Sequence, residues 1–336
     1  MIRPALVVLL SLSVGWWLAG CGKQAGPADG RVPVTVEHDW LAVPEQGGFF
    51  QALMEGYFAD TGLDVTIRHG GPYDLTPQNV ALGKADIGMA SSDEVIVAVG
   101  RGMPLVIFMP FFQHHPYALM SHREQAVKTF GDLDGRTVTA FPGATWIPYV
   151  KNKYDVEFGI SPVGTSIAQF IADKTRMRVE QIFLTNEPFF AAKNGVDPHV
   201  LRIGESGLDP YRVMFTTRSF MADHPEVLRG FTEAALRGWS DYLSGGDTSA
   251  ADAEIIRRNS QMTPEYIDWV KSAIVEHRLV RGRSDDQTQA TLDLERLEAE
   301  IADLYELELI PEAFPVDRLA TTAFLPAGRA GASATP

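Results

Sequence analysis

The residues with the means to do chemistry stand where apolar runs break off. Asp39-Trp40 follows VPVTVEH, Ser91-Ser92 follows DIGMA, Phe141-Pro142 and then Thr145-Trp146 follow RTVTA, and Asn186-Glu187-Pro188 follows QIFLT. Aromatic faces beside a placed carboxylate suit a flat, neutral-to-cationic heteroaromatic, which stacks between rings while an amidine edge donates two hydrogen bonds to the acid. Glu187 is the foremost carboxylate for that task, with Asp39 second. The hydroxyl-bearing helix starts at Ser91, Ser92 and Thr145 could instead offer backbone N–H groups to a small anion. Arg212 and Lys151 are the only basic residues near candidate positions. Each residue also has a plainer reading: Trp40 and Trp146 as core tryptophans, Glu187 as a cap on the helix begun at Pro188, Asp39 as an orienter of a neighbouring loop. His115 joins the candidates from the loop Gln113-His114-His115-Pro116. Neighbouring residues of a strand point to opposite faces, so His114 and His115 cannot easily share a metal. Asp93-Glu94 reads as an acidic helix start answering the macrodipole.

Other chemistry is missing from the chain. It has no G-x-S-x-G, H-E-x-x-H, G-x-x-x-x-G-K-[ST] or strand-following G-x-G-x-x-G, which weighs against hydrolase, metalloprotease, P-loop and dinucleotide readings. The single cysteine excludes an internal disulfide framework, an all-cysteine zinc site and a cysteine-held iron–sulfur cluster. A formal charge of −14 over 336 residues argues against nucleic acid or an anionic membrane surface as partner. No catalytic residue, metal or cofactor is expected.

The elements that must position the candidates follow from periodicity. Apolar runs alternate with helical patterns from Val32 to about Arg218, which argues for an α/β fold with largely parallel sheet. Strands are expected at 32–40, 64–69, 86–90, 105–112, 117–121, 136–141 and 181–185. Helices are expected at 47–60, 76–83, from Ser92 or Asp93 through Val99, at 146–154, 167–172 and 189–193. The pattern restarts near 136, which predicts two lobes: 32–116 plus 212–245 as lobe I, and 117–211 as lobe II. Helices at 225–243, 250–260, 264–276 and 285–307 follow, packed mainly on lobe I; residues 246–325 form a C-terminal helical extension and 326–336 a disordered tail. Two crossings between lobes imply hinge closure around a ligand held between them.

The first thirty residues set the location. A short cationic start, an apolar stretch from Ala5 to Leu18 and then Leu18-Ala19-Gly20-Cys21 resemble the lipobox of bacterial lipoproteins. Residues 1–20 are thus expected to be a signal peptide, Cys21 the lipidated residue, and 21–31 a tether that leaves a membrane-anchored, extracytoplasmic, monomeric protein.

Together with this lipobox, Asp39-Trp40, Gly56-Tyr57-Phe58 followed by Gly62-Leu63-Asp64-Val65, and Gly83-Lys84-Ala85-Asp86 make the chain resemble the solute-binding proteins of ABC importers. The resemblance runs from about Val32 to Leu243. It falls in the branch shared by sulfonate-type and thiamine-pyrimidine-precursor binding proteins, and implies the two-lobed periplasmic binding protein type II fold. His115-Pro116 with Leu119-Met120, and Asn186-Glu187-Pro188, resemble the pyrimidine side, which implies that Glu187 holds an aminopyrimidine edge. Leu41–Gln46 departs from that branch, keeping only its proline. The fungal relatives that synthesise the pyrimidine carry a cysteine-rich iron motif, which this chain lacks. Three functions follow from the resemblance: capture of a thiamine-pyrimidine-like heteroaromatic for a membrane permease, capture of a sulfonate, nitrate or other small anion on the same fold, or a pyrimidine-precursor enzyme.

Overall fold

The computed structural model describes residues 30–71, 75–162, 167–281 and 290–326. The signal, lipidation and tether segments and most of the predicted tail lie outside the described residues, apart from Gly30, Arg31 and Pro326 at their edges. Two five-stranded mixed sheets organise the chain.

Lobe I opens with β1 (Val32–His38), α1 (Gly47–Met54), α2 (Tyr57–Asp60), β2 (Leu63–His69), α3 (Thr76–Ala81), β3 (Ile87–Ser91), α4 (Ser92–Gly100) and β4 (Leu105–Phe112). Lobe II follows with β5 (Tyr117–His122), β6 (Thr137–Ala140), α5 (Trp146–Tyr154), β7 (Gly159–Pro162), α6 (Ala168–Ala172), β8 (Val179–Phe183), α7 (Glu187–Lys193) and β9 (Pro198–Arg202). The chain then returns to lobe I through β10 (Arg212–Thr217), α8 (Arg218–Asp223), α9 (Pro225–Leu243), α10 (Ser249–Arg258), α11 (Pro264–Glu276) and α12 (Leu294–Glu306).

The strand order is β2-β1-β3-β10-β4 in the first sheet and β7-β6-β8-β5-β9 in the second. The expected parallel arrangement holds for β2-β1-β3 and β7-β6-β8, while β10 and β5 run antiparallel to both neighbours. The reason is topological. Each antiparallel strand is the one by which the chain enters from the other lobe, so it needs no crossover helix. Entry through β10 sets Arg212 opposite both Ser91 and Phe112, at the cleft end of the first sheet.

Other expectations change in detail. The stripe over 47–60 is two helices, because Gly56 takes φ +75° between them. Strands β7 and β9 were not anticipated. Residues 290–293 are not helical, and α12 starts at Leu294, where Asp293 accepts hydrogen bonds from the Glu295 and Arg296 N–H groups. After Glu306 the chain is mostly irregular and rejoins lobe I through a bridge between Ile107 and Ala320.

The crossings are tied together. His114 and Asp209 meet at 2.5 Å, and the other Asp209 oxygen accepts the His115 N–H at 3.2 Å. Helix α11, one of the helices expected mainly on lobe I, also reaches lobe II. Tyr266 and Trp269 pack on Phe189 of α7, and the Tyr266 hydroxyl donates to the Thr185 carbonyl and to Asn186 Oδ1 at 3.1 and 2.9 Å. One hydrophobic core thus runs from Phe49 and Trp239 through Ile267 and Val270 into Ile182 and Phe189.

Candidate functional site

The candidate site is the cleft between the ends of the two sheets. Strand β1 delivers Asp39 to it, and Arg212 at the start of β10 pairs with Asp39 Oδ2 at 2.5 Å. Both side chains are largely removed from water, so the pair depends on its geometry. Two hydrogen bonds cross the cleft. Thr145, at the start of α5, donates to Asp93 Oδ2, and Thr185, after β8, donates to Glu45 Oε1 at 2.6 Å.

These three carboxylates share one feature. Asp39 Oδ1, Glu45 Oε2 and Asp93 Oδ1 are buried and, among the described residues, have no hydrogen-bond partner, while the second oxygen of each is engaged. A buried acceptor without a donor costs about 1–3 kcal/mol, so a ligand bearing N–H groups has the most to gain here. Burial, opposed by the Thr185 hydrogen bond, pushes the Glu45 carboxyl up to about 6. Glu94 is pushed up to about 7 by removal from water first and then by the charges of Asp93 and Asp39. Part of its surface stays exposed, and solvent screening reduces what that shift is worth.

Aromatic rings line the same region. The His115 ring lies 4.0 Å from that of Tyr117, which meets Phe183 edge-on at 4.8 Å and Phe141 at 6.4 Å. His115 Nδ1 accepts the Tyr117 N–H at 3.3 Å, and burial, then the Arg212 charge, holds the imidazole neutral, with its remaining proton on Nε2. Asp93, His115, Tyr117, Thr145 and Trp146 border a small cavity under this cluster. Trp40 and Phe141 are 39% and 36% exposed, free to present faces to a ligand.

Several predicted residues are occupied elsewhere. Trp146 is 2% exposed, donates from Nε1 to Gln181 Oε1 at 2.9 Å and stacks on Phe158, so it is a core residue of lobe II despite bordering the cavity. Ser92 donates to Glu300 at 2.8 Å and accepts the Tyr211 N–H at 2.9 Å, and Ser91 caps α4 reciprocally with Glu94. Glu187 accepts the Phe183 N–H at 2.8 Å on one oxygen and the Asn186 amide at 3.0 Å on the other. Both of its oxygens organise the turn into α7, the cap reading of the sequence. Burial leaves its carboxyl at about 7. Asn186 is held in turn by Tyr266.

Sequence reasoning missed Glu45 and gave Asp93 only a helix-terminal role. The sole available signal was an acid in the first turn after a strand end, a place where acids also stabilise helices.

The model of the family described as NMT1/THI5 like matches residues 43–247, which include every residue of this cleft except Asp39 and Trp40. The chain belongs to that family. It is 22% identical over 237 residues, 66% of this chain and 67% of the relative, to the riboflavin-binding protein RibY of Chloroflexus aurantiacus. It is 25% identical to the formylaminopyrimidine-binding protein of Halalkalibacterium halodurans over 69% of this chain and 73% of the relative. A third relative, 24% identical over 62% of this chain and 67% of its own length, is the 4-amino-5-hydroxymethyl-2-methylpyrimidine phosphate synthase of Candida albicans. Among solved structures, the alkanesulfonate-binding protein SsuA of Xanthomonas axonopodis pv. citri superposes with a TM-score of 0.62 at 12% identity, covering 86% of this chain and 98% of SsuA. The shared architecture is the two-lobed periplasmic binding protein fold expected from the resemblance.

Proposed function

We propose that this chain is the substrate-binding lipoprotein of an ABC importer, and that its cleft captures a flat heteroaromatic rich in N–H donors, of the aminopyrimidine or flavin type, for delivery to a membrane permease. The observation that carries this reading is the set of three half-used carboxylates, Asp39, Glu45 and Asp93, beside exposed aromatic faces. Relatives named for riboflavin and for formylaminopyrimidine support the same ligand chemistry. The sulfonate or nitrate alternative meets an unfavourable field, because Asp39, Glu45 and Asp93 present carboxylates there and Arg212 is already paired with Asp39. Binding without catalysis is favoured by the lone cysteine at position 21, far from the cleft in sequence. The lipobox-like Leu18-Ala19-Gly20-Cys21 supports an extracytoplasmic, membrane-anchored location.

A thermal-shift screen of aminopyrimidines, flavins, alkanesulfonates and nitrate tests the reading, since a bound ligand stabilises in proportion to ln(1 + [L]/Kd). Stabilisation by a heterocycle and not by the anions is the expected result. A shift with a sulfonate or nitrate alone would overturn it.

A further inference from the structure

The start of α4 is built in a way that bears on which form of such a ligand can enter. Helix N-termini attract anions through unpaired N–H groups and the helix dipole. Here part of that capacity is already used. The Ser91 N–H donates to Glu94 Oε2 at 3.1 Å and the Ser92 N–H to the Tyr211 carbonyl at 2.9 Å, while Asp93 and Glu94 place two carboxylates in the first turn.

Asp93 does more than answer the dipole. It is 8% exposed and borders the cavity with His115, Tyr117 and Thr145. Its Oδ2 is held by Thr145 from the opposite lobe, while Oδ1 has no partner among the described residues. That buried, unpartnered oxygen calls for a donor and repels an acceptor. The Asp39 carboxylate adds charge of the same sign at Tyr117, and Arg212, which opposes it there, is already paired with Asp39.

We propose that Asp93 is a specificity-determining residue that excludes phosphorylated forms of the ligand, so that the cleft takes the free heterocycle and rejects its phosphate ester. This rests on the heteroaromatic reading above and adds to it which chemical form is bound. A phosphate monoester carries close to two negative charges at neutral pH and only acceptor oxygens on its anionic face. One like charge a few ångströms away, at the intermediate dielectric of a protein cleft, weakens binding about tenfold or more.

The test is calorimetric titration of the full chain with two matched pairs: riboflavin and riboflavin 5′-phosphate, and 4-amino-5-hydroxymethyl-2-methylpyrimidine and its phosphate. For whichever pair binds, the ester should bind at least about tenfold more weakly than its parent. Asp93→Asn, nearly isosteric, should narrow that ratio by roughly threefold to tenfold, the ratio being insensitive to any loss of folded protein. Equal binding of ester and parent, or a ratio that Asp93→Asn leaves unchanged, overturns the inference while leaving the heteroaromatic reading intact. Binding of none of the four compounds, with a sulfonate or nitrate bound instead, overturns the reading itself and this inference with it.

Discussion

Two tryptophans named as site candidates differ in burial, and a pair of substitutions tests whether they differ in task. Trp40, next to Asp39, is 39% exposed and Trp146 is 2% exposed inside lobe II. Trp146→Ala should lower stability by about 3–5 kcal/mol in denaturant unfolding, through lost burial and the hole it leaves. Trp40→Ala should leave the unfolding midpoint nearly unchanged while weakening ligand binding by roughly tenfold, from the loss of a stacking face. Equal destabilisation by both variants would place Trp40 in the core and remove it from the site. Glu187 belongs to the same scale. Because each of its oxygens accepts from the turn it begins, Glu187→Gln turns an NH2 toward the Phe183 N–H or the Asn186 amide. The expected cost is about 1–3 kcal/mol of stability, read from the same unfolding curves, whether or not ligand is present.

Helices α1 and α9 cross so closely that backbone occupies the contact. A Cβ at Gly48 would lie 2.2 Å from Trp239 Cγ, and one at Gly238 would lie 2.2 Å from the Gly48 carbonyl oxygen. Gly48→Ala should therefore cost about 1–3 kcal/mol or more by overpacking, although alanine is the better helix former at an unconstrained position. An unchanged or raised melting temperature would show that the helices can part without loss. Elements such as these were legible where one period ran without interruption: Pro225–Leu243, Pro264–Glu276, Trp146–Tyr154 and Leu105–Phe112 carry their bounds in their own apolar spacing and flanking prolines. Strand β7 was not, because its four residues are largely half-exposed or exposed and end in proline, which leaves neither alternation nor a buried run to detect. At the site, strand-end placement pointed to Asp39, His115 and Thr145. What it could not supply was pairing. The bonds from Thr145 to Asp93 and from Thr185 to Glu45 span 52 and 140 residues, and they alone distinguish a half-used carboxylate from a helix-terminal acid.

At the scale of the whole molecule, the route to the membrane and the response to pH are both open to test. If Cys21 carries the anchor, Cys21→Ser should release the protein from membranes on fractionation without altering its ligand affinity; equal membrane retention of the variant would contradict the anchor. The pH response follows from burial. It pushes the carboxyls of Glu45 to about 6, Glu180 and Glu187 to about 7, and Glu300 to about 8. In the unfolded chain the same groups ionise near 4.3. The folded state therefore holds more protons between those limits, and this contribution to stability, complete below about 4.3, is lost as pH rises through 6 to 8. Buried histidines act in the opposite direction. Burial lowers His38 to about 3 and His69 to about 4, so their contribution is complete above roughly 6.5 and lost on further acidification. Between pH 8.5 and 6.5 the buried acids dominate, and the melting temperature of the ligand-free protein should rise as pH falls through that window, then rise less steeply once the two histidines take up protons on unfolding. Glu300 sets the alkaline end of this limb, since burial and then the charge of Asp93 outweigh the Ser92 hydroxyl and the Arg296 charge that oppose them. Glu300→Gln mimics the protonated form and should flatten the slope between pH 7 and 8.5, raising stability at the upper end. A melting temperature highest at pH 8.5, or a slope that Glu300→Gln leaves unchanged, would show that these acids stay ionised in the folded protein.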